Sequence, residues 1–305
     1  MEGPRVEPLP PGSGGVSWLE RLRRYALLAR LHRPIGILLL LWPTLWALWL
    51  AGDGQPPWGL VLVFVLGVAL MRSAGCAIND YADRNFDGCV ARTRTRPIAL
   101  GLVTPGEALG VFAALSLVAA SLLVFLNWPT RLMSLVALLL AAVYPFMKRF
   151  THLPQVMLGA AFGWAVPMAF MALREAVPTA AWLLFVATVI WALIYDTQYA
   201  MVDREDDLKI GVKSSAILFG RYDNLIVGLL QLAMLGLLFL VGEMSGRGGG
   251  YDLGLLAGGG LFLYQQWLTR HRDPKACFDA FLNNNLFGMA VFTGLVLDYL
   301  VRLSG

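Results

Sequence analysis

The residues best placed to do chemistry lie in two short acidic segments. One is Asn79-Asp80-Tyr81-Ala82-Asp83-Arg84-Asn85-Phe86-Asp87; the other is Asp203-Arg204-Glu205-Asp206-Asp207. With Asp196 just upstream of the second, they hold 8 of the chain's 20 acidic residues, in a sequence that is otherwise mostly apolar. Residues four apart on a helix share a face. Asn79, Asp83 and Asp87 recur at that spacing, as do Asp203 and Asp207, and Asp196 sits two turns before Asp203 on roughly the same face. Stacked carboxylates repel one another, the more so near lipid. A cation between them turns that repulsion into ligation. Oxygen donors with no histidine or cysteine nearby suit Mg²⁺, which takes one or two carboxylates and fills its shell with water and phosphate oxygens. The chemistry indicated is metal-assisted binding of a diphosphate, with Asn79, Asp83, Asp87, Asp203 and Asp207 as candidate metal ligands. Two solvated charged loops are the plainer reading, weakened because each segment closes a long apolar run.

Several cations and polar groups near these segments have two readings each. Arg72 lies seven residues before Asn79, on the same face and two turns deeper. It either pairs with one of the aspartates or binds an anionic group of a substrate. Asp196 poses the same choice between structure and chemistry. Tyr144 and Lys148 are four apart at the end of an apolar run, with Arg149 beside them. They are either snorkelling interfacial side chains or a second clamp on the diphosphate. Asp80, Lys209 and Lys213 complete the candidate substrate-binding set, and Ile210 to Ser215 reads as a loop over the site. Asn283-Asn284-Asn285, inside the last apolar run, reads as interhelical hydrogen bonding.

These residues need a frame. The chain has 305 residues, 58% of them hydrophobic and 14% charged, against about 45–50% and about 25% in soluble domains. That composition describes an all-α integral membrane protein. The net charge of +4 is spread over short loops and gives no nucleic-acid signal. Cys76, Cys89 and Cys277 show neither metal spacing nor a disulfide framework, and His32, His152 and His271 stand alone. Residues 1–17, rich in Pro and Gly, read as a disordered tail that is neither signal nor transit peptide. Residues 18–305 read as a single transmembrane domain.

Trp18 to Arg33 has the pattern of a basic amphipathic helix at the membrane surface. Apolar runs near 35–52, 58–78, 107–126, 131–147, 155–173, 180–202, 223–242, 252–269 and 280–301 predict nine spans around a central cavity. With the N-terminus in the cytoplasm, 19 of the 24 Lys and Arg fall on inside segments and four outside, leaving Arg72 within a span. By the positive-inside rule both acidic segments then face the cytoplasm. The second and sixth spans share one plan, an apolar helix followed by aspartates, basic residues and a glycine. Two such units could face each other as a weak internal repeat.

On these residues the chain resembles the UbiA family of intramembrane aromatic prenyltransferases. The family pattern Asn-Asp-x-x-Asp-x-x-x-Asp is matched by Asn79, Asp80, Asp83 and Asp87, Asp-x-x-x-Asp by Asp203 and Asp207, and Tyr-x-x-x-Lys by Tyr144 and Lys148. Longer stretches (RPIGILLLLWPTLWALW, GCAINDYADRNFDG, YPFMKR, HLPQVMLGAAFGW and YDTQYAMVDREDDLKIGVKSSAILFG) are similar to the bacterial ubiquinone-pathway branch, over nearly all of the chain beyond the tail. The resemblance implies nine helices around a cavity open sideways to lipid, in a bacterial inner membrane, with Mg²⁺ as cofactor. It also implies transfer of a polyprenyl chain from polyprenyl diphosphate to the ring carbon ortho to the hydroxyl of 4-hydroxybenzoate. Asp83, Asp87, Asp203, Asp207 and Asp196 would then be catalytic.

Three other readings compete. A naphthoate or haem acceptor is the nearest. Asp87-Gly88, Ala91-Arg92 and Gly101 match part of a CDP-alcohol phosphotransferase signature, but its last two acids would fall at Pro105 and Leu109. A cation transporter would place its carboxylates near mid-membrane, whereas these sit at helix ends on one side.

Overall fold

The computed structural model describes residues 17–304 apart from 86, 90–92 and 212, and only the backbone at 89, 148, 210, 303 and 304. The tail expected over 1–17 therefore lies outside the described residues except for Ser17, whose hydroxyl caps the first helix by accepting from Glu20 N at 3.3 Å. Twelve α-helices and four 3-10 turns follow, with no strand among the described residues. They are α1 (Trp18–Leu28), α2 (Ile35–Ala51), α3 (Trp58–Asp83), α4 (Pro105–Ser121), α5 (Trp128–Val143) and α6 (Pro154–Gly163). The rest are α7 (Ala165–Arg174), α8 (Thr179–Ile210), α9 (Ser215–Phe219), α10 (Asp223–Met244), α11 (Gly249–Thr269) and α12 (Pro274–Ser304).

Long runs of Leu, Ala and Val with scarcely a polar side chain can bury their backbone only by bonding it internally, which in lipid means a helix. The ends are set locally. Thr104 and Glu107 form a capping box at α4, with Pro105 at its first position, and the Asn127 side chain caps α5. Pro167 has no N–H to give the Gly163 carbonyl, so one apolar run is broken into α6 and α7 at Trp164. Among the described residues, seven helical stretches are long and apolar enough to cross a membrane, including Trp58–Asp83, Pro154–Arg174 and Thr179–Lys209. Ile35–Ala51 is apolar but shorter, and Gly249–Thr269 carries the remaining run. Each expected span thus coincides with a helix or a helix pair.

The centre of the bundle is α8, which packs on α6, α10 and α12. Trp191 of α8 is fully buried and stacks on Trp46 of α2 with ring centroids 5.3 Å apart. Gly288 admits it: a Cβ there would stand 2.8 Å from the Trp191 ring. The three consecutive asparagines do not interrupt α12. Asn283 accepts from Gln265, Asn284 from Trp191 and Asn285 from Trp42, each at 2.9–3.0 Å. In contrast, α4 and α5 turn much of their apolar surface outward.

Two local differences from the sequence reading bear on the site. Helix α3 ends at Asp83, and Asp87 begins a separate 3-10 turn, Asp87–Cys89, so it is not on the helical face of Asn79 and Asp83. Asn85 and Gly88 are poor helix formers, and a turn lets Asp87 fold back on the end of α3. Tyr144–Arg149 is likewise 3-10 rather than α. Positions three apart align in such a turn; the Lys148 side chain lies outside the described residues.

Candidate active site

Asp80, Asp83 and Asp87 are only 1, 3 and 4% exposed. Charge at that depth must be paired, and Arg96 pairs all three. Its Nη1 stands 2.8 and 2.9 Å from the two Asp87 oxygens, 3.3 Å from Asp80 Oδ1 and 3.6 Å from Asp83 Oδ2. Arg30 donates to Asp80 Oδ1 at 2.6 Å. It does so from a left-handed backbone conformation, φ 55°, which turns the chain back after α1. Burial lifts the Asp87 carboxyl to about 6, against the downward pull of Arg96 and with the nearby Asp83 charge adding to the rise. Neither arginine stood out in the sequence. In sequence both are ordinary basic residues outside the apolar runs, and their distance in the chain from the aspartates carries no signal.

The next side chains are gathered around Tyr144. Its hydroxyl donates to Asn79 Oδ1 at 3.3 Å, and Asn79 Nδ2 donates to Asp83 Oδ2 at 3.3 Å. Arg72, Asp196, Cys76 and Asp83 all lie within electrostatic reach of this hydroxyl. Phe162 packs edge-on against the Tyr144 ring. Arg149, from the same turn, donates to Ala82 O at 2.6 Å and ties the turn to the end of α3.

Arg72 makes no ion pair with a carboxylate among the described residues. One guanidinium nitrogen donates to Cys76 Sγ, and Nε is buried with no hydrogen-bond partner. Of its two sequence readings, pairing with an aspartate is therefore not what the structure contains.

Between Trp191 and Met201 the part-open residues of α8 are Leu193, Asp196 and Tyr199; beyond Met201 the helix opens more widely, with Val202, Asp203, Arg204, Asp206 and Asp207 part-open and Glu205 exposed. On α3 the matching residues are Arg72, Gly75 and Asn79. The two helices do not pack closely on each other; α6 and the Tyr144–Arg149 turn stand between them. Arg72, Gly75 and Asn79 of α3 and Leu193, Asp196 and Tyr199 of α8 are part-open, and the region onto which they open is the candidate cleft. The azimuth of α8 is set from behind, where Gln198 donates to Gln265 at 3.1 Å and accepts from Asn284 at 2.8 Å. Gln198 is about 200° around the helix from Asp196. Arg204 pairs with the fully buried Asp223, which also accepts from Arg272 Nε at 2.9 Å, pinning the end of α8 to α10. Lys209 is not brought to the cluster; it is exposed and donates to Asp206 at 3.3 Å. Lys213 precedes Ser214, which caps α9, and the Ser215 hydroxyl bonds Thr197 of α8 at 2.7 Å. Residues 210–215 thus run from the C-terminal end of α8 into α9, with Val212 outside the described residues.

The donor set fits a hard divalent ion. It consists of carboxylate and amide oxygens, and Asp80 Oδ2 is buried without a hydrogen-bond partner. Among the described residues, no group of three acidic, His or Cys side chains is arranged to hold a metal ion, and the point on which Asp80, Asp83 and Asp87 converge is taken by Arg96. An ion held here must therefore draw the rest of its shell from water and phosphate, as Mg²⁺ does.

Beside the cleft, an apolar chamber of about 230 Å³ runs between α3, α4, α5 and α6–α7. Its lining reaches from Met71, next to Arg72, and Phe162, against Tyr144, down to Leu126 and Met168.

Residues 40–290 match the UbiA prenyltransferase family. The chain is 57% identical over 279 residues to a 4-hydroxybenzoate octaprenyltransferase of Salmonella paratyphi C (strain RKS4594), covering 92% of this chain and 96% of that one. It is 58% identical over 282 residues to the protein of the same name from Aeromonas salmonicida (strain A449), covering 92% and 98%. Among solved structures, the fold is similar to the apo form of a UbiA homolog from Aeropyrum pernix K1, with TM-score 0.76, 24% identity and 86% and 97% of the two chains covered. It is also similar to a UbiA homolog from Archaeoglobus fulgidus bound to GPP and Mg²⁺, with TM-score 0.65, 20% identity and 88% and 99% covered.

Proposed function

The chain belongs to the UbiA prenyltransferase family, and from that premise we propose that it transfers a polyprenyl chain from polyprenyl diphosphate to 4-hydroxybenzoate, in the ubiquinone pathway. The bond forms at the ring carbon ortho to the hydroxyl. The observation that carries this reading is the run of hydrogen bonds from Tyr144 through Asn79 to Asp83 of the buried acidic cluster, with the Arg72 Nε buried without a partner on the same helix and an apolar chamber beside them. It supplies a cation for a carboxylate, acids for a metal-bound diphosphate and a dry space for an isoprenoid chain. The eight-unit donor in the names of the relatives is proposed for this chain too.

The protein is read as nine spans with the N-terminus inside, in a bacterial inner membrane, and with its cleft towards the cytoplasm. Asp83 and Asp87 on one wall, Asp203 and Asp207 on the other, and Asn79 with its neutral oxygen would hold Mg²⁺. The ion supplies charge stabilisation for the departing diphosphate. Arg149, with Lys148 beside it in the chain, takes up further negative charge as the allylic C–O bond breaks. Arg72 holds the benzoate carboxylate and so aims the ring. The electrons of the ring, pushed by its hydroxyl, form the new C–C bond, and the proton left on the ortho carbon departs towards Asp196. Apolar walls keep water from the allylic cation.

The test follows incorporation of labelled 4-hydroxybenzoate into prenylated product in membranes. EDTA, Asp83→Ala and Asp203→Ala are each expected to lower turnover by about 100-fold or more. Undiminished turnover in either variant removes that carboxylate from the mechanism. Preference for a dihydroxynaphthoate acceptor would move the chain to another branch of the family.

A further inference from the structure

Gly36, the second residue of α2, lies directly against the guanidinium of Arg72. A Cβ on Gly36 would stand 2.7 Å from Arg72 Cζ and closer still to Nε and Nη2. No carbon occupies such a position, so the guanidinium lies where it does only because residue 36 has no side chain. Two contacts therefore set this cation. Cys76 Sγ, one turn along α3, accepts from one nitrogen, and the bare backbone of α2 forms the floor on which the group rests. Among the described residues no carboxylate holds it, and Nε remains buried and unpartnered. The RPIG stretch, which carries no chemistry of its own, ends on this glycine.

We infer that Gly36 is a positioning residue for acceptor recognition: it fixes the place of the Arg72 guanidinium and with it the site of the acceptor carboxylate. The inference rests on the proposed pairing of Arg72 with that carboxylate. The physics makes the two halves separable. The atoms that a Cβ at 36 would strike are the far end of a long flexible side chain, not backbone. A Gly36→Ala substitution is therefore absorbed by swinging Arg72 aside while the fold survives. Gly36 also lies in a helix, where alanine is the better former, so backbone conformation gives no reason for glycine here.

The experiment compares wild type, Gly36→Ala, Arg72→Ala and the double variant, each with 4-hydroxybenzoate and with 4-hydroxybenzamide, at saturating prenyl diphosphate and Mg²⁺. Gly36→Ala is expected to raise KM for the benzoate by about tenfold, the size of one charge-assisted hydrogen bond. KM for the benzamide and for the prenyl diphosphate should stay within about twofold, and Tm in detergent should be unchanged. The double variant should be no worse than Arg72→Ala alone. A global packing defect would move both acceptors and Tm together. Equal penalties on the two acceptors, no penalty at all, or additive losses in the double variant would overturn the role of Gly36. If Arg72→Ala itself leaves the preference for benzoate intact, the carboxylate pairing fails instead, and the Gly36 assignment falls with it by a different result.

Discussion

Asn284 of α12 donates from Nδ2 to Oε1 of Gln198 on α8 across 2.8 Å, and both side chains are fully buried. The bond belongs to a chain of amides. Gln198 and Gln231 both donate to Gln265 Oε1 at 3.1 Å, Gln265 donates to Asn283 at 3.0 Å, and Trp191 donates to Asn284 at 2.9 Å. Each amide is satisfied in one rotational setting of α8, and the same setting turns Asp196, Tyr199 and Asp203 towards the cleft. Asn284→Leu leaves Trp191 Nε1 and Gln198 Oε1 unpaired. The expected cost is about 1–2 kcal/mol, read as a lower Tm in detergent. A second expected effect, a raised Mg²⁺ requirement for turnover, separates a loss of helix azimuth from simple loss of stability.

Arg96 shares one nitrogen among three buried carboxylates. Removing it takes away the cation that the three share, while Asp80 keeps Arg30. Arg96→Ala is expected to unfold at a lower temperature than wild type in EDTA and to gain more from added Mg²⁺, since a divalent ion can replace the missing cation. Thermal unfolding across a MgCl₂ titration measures both. A variant whose response to Mg²⁺ equals that of wild type would show that metal and guanidinium do not compete for these oxygens.

Gly67 lines the apolar chamber, and a Cβ there meets nothing within 4 Å. Gly67→Leu should therefore fold while filling part of the chamber. If the donor chain lies there, KM for a long prenyl diphosphate is expected to rise severalfold, and KM for dimethylallyl diphosphate should change little. The comparison of the two donors in one membrane preparation is the measurement. An equal effect on both would place the chain elsewhere.

Helices α11 and α12 approach each other at Gly254 and Gly294, where a Cβ on Gly294 would fall 2.6 Å from the Gly254 Cα. The obstacle is backbone, which cannot swing away. Gly294→Ala is expected to cost about 1–3 kcal/mol, as overpacking does. Gly260→Ala, on α11 with open space at its Cβ, should be neutral or slightly stabilising. Tm values of the two variants, measured side by side, check the contrast.

Much of this protein was legible before folding. A run of apolar residues long enough for lipid leaves the backbone no alternative to a helix, so each expected span coincides with helix. The acidic spacing also survived on α8, because Asp196, Asp203 and Asp207 lie on one unbroken helix and spacing within a helix is a local property. The asparagine triplet was read correctly as interhelical bonding for a related reason: three amides in an apolar helix must find partners.

What tertiary structure alone decided were relations between distant parts of the chain. Nothing local says that Arg96 returns to Asp80, Asp83 and Asp87, that Arg30 leaves α1 in a left-handed turn to meet Asp80, or that Asp223 anchors Arg204. Nor does spacing reveal that α3 stops at Asp83, because the pull on Asp87 comes from a residue nine positions on in a turn. The same holds for Arg72, whose two readings both stood open in sequence. Periodicity tells which face a side chain occupies, since that follows from the residues next to it. Whether a carboxylate, a sulfur or a bare glycine waits across that face depends on how the helices pack.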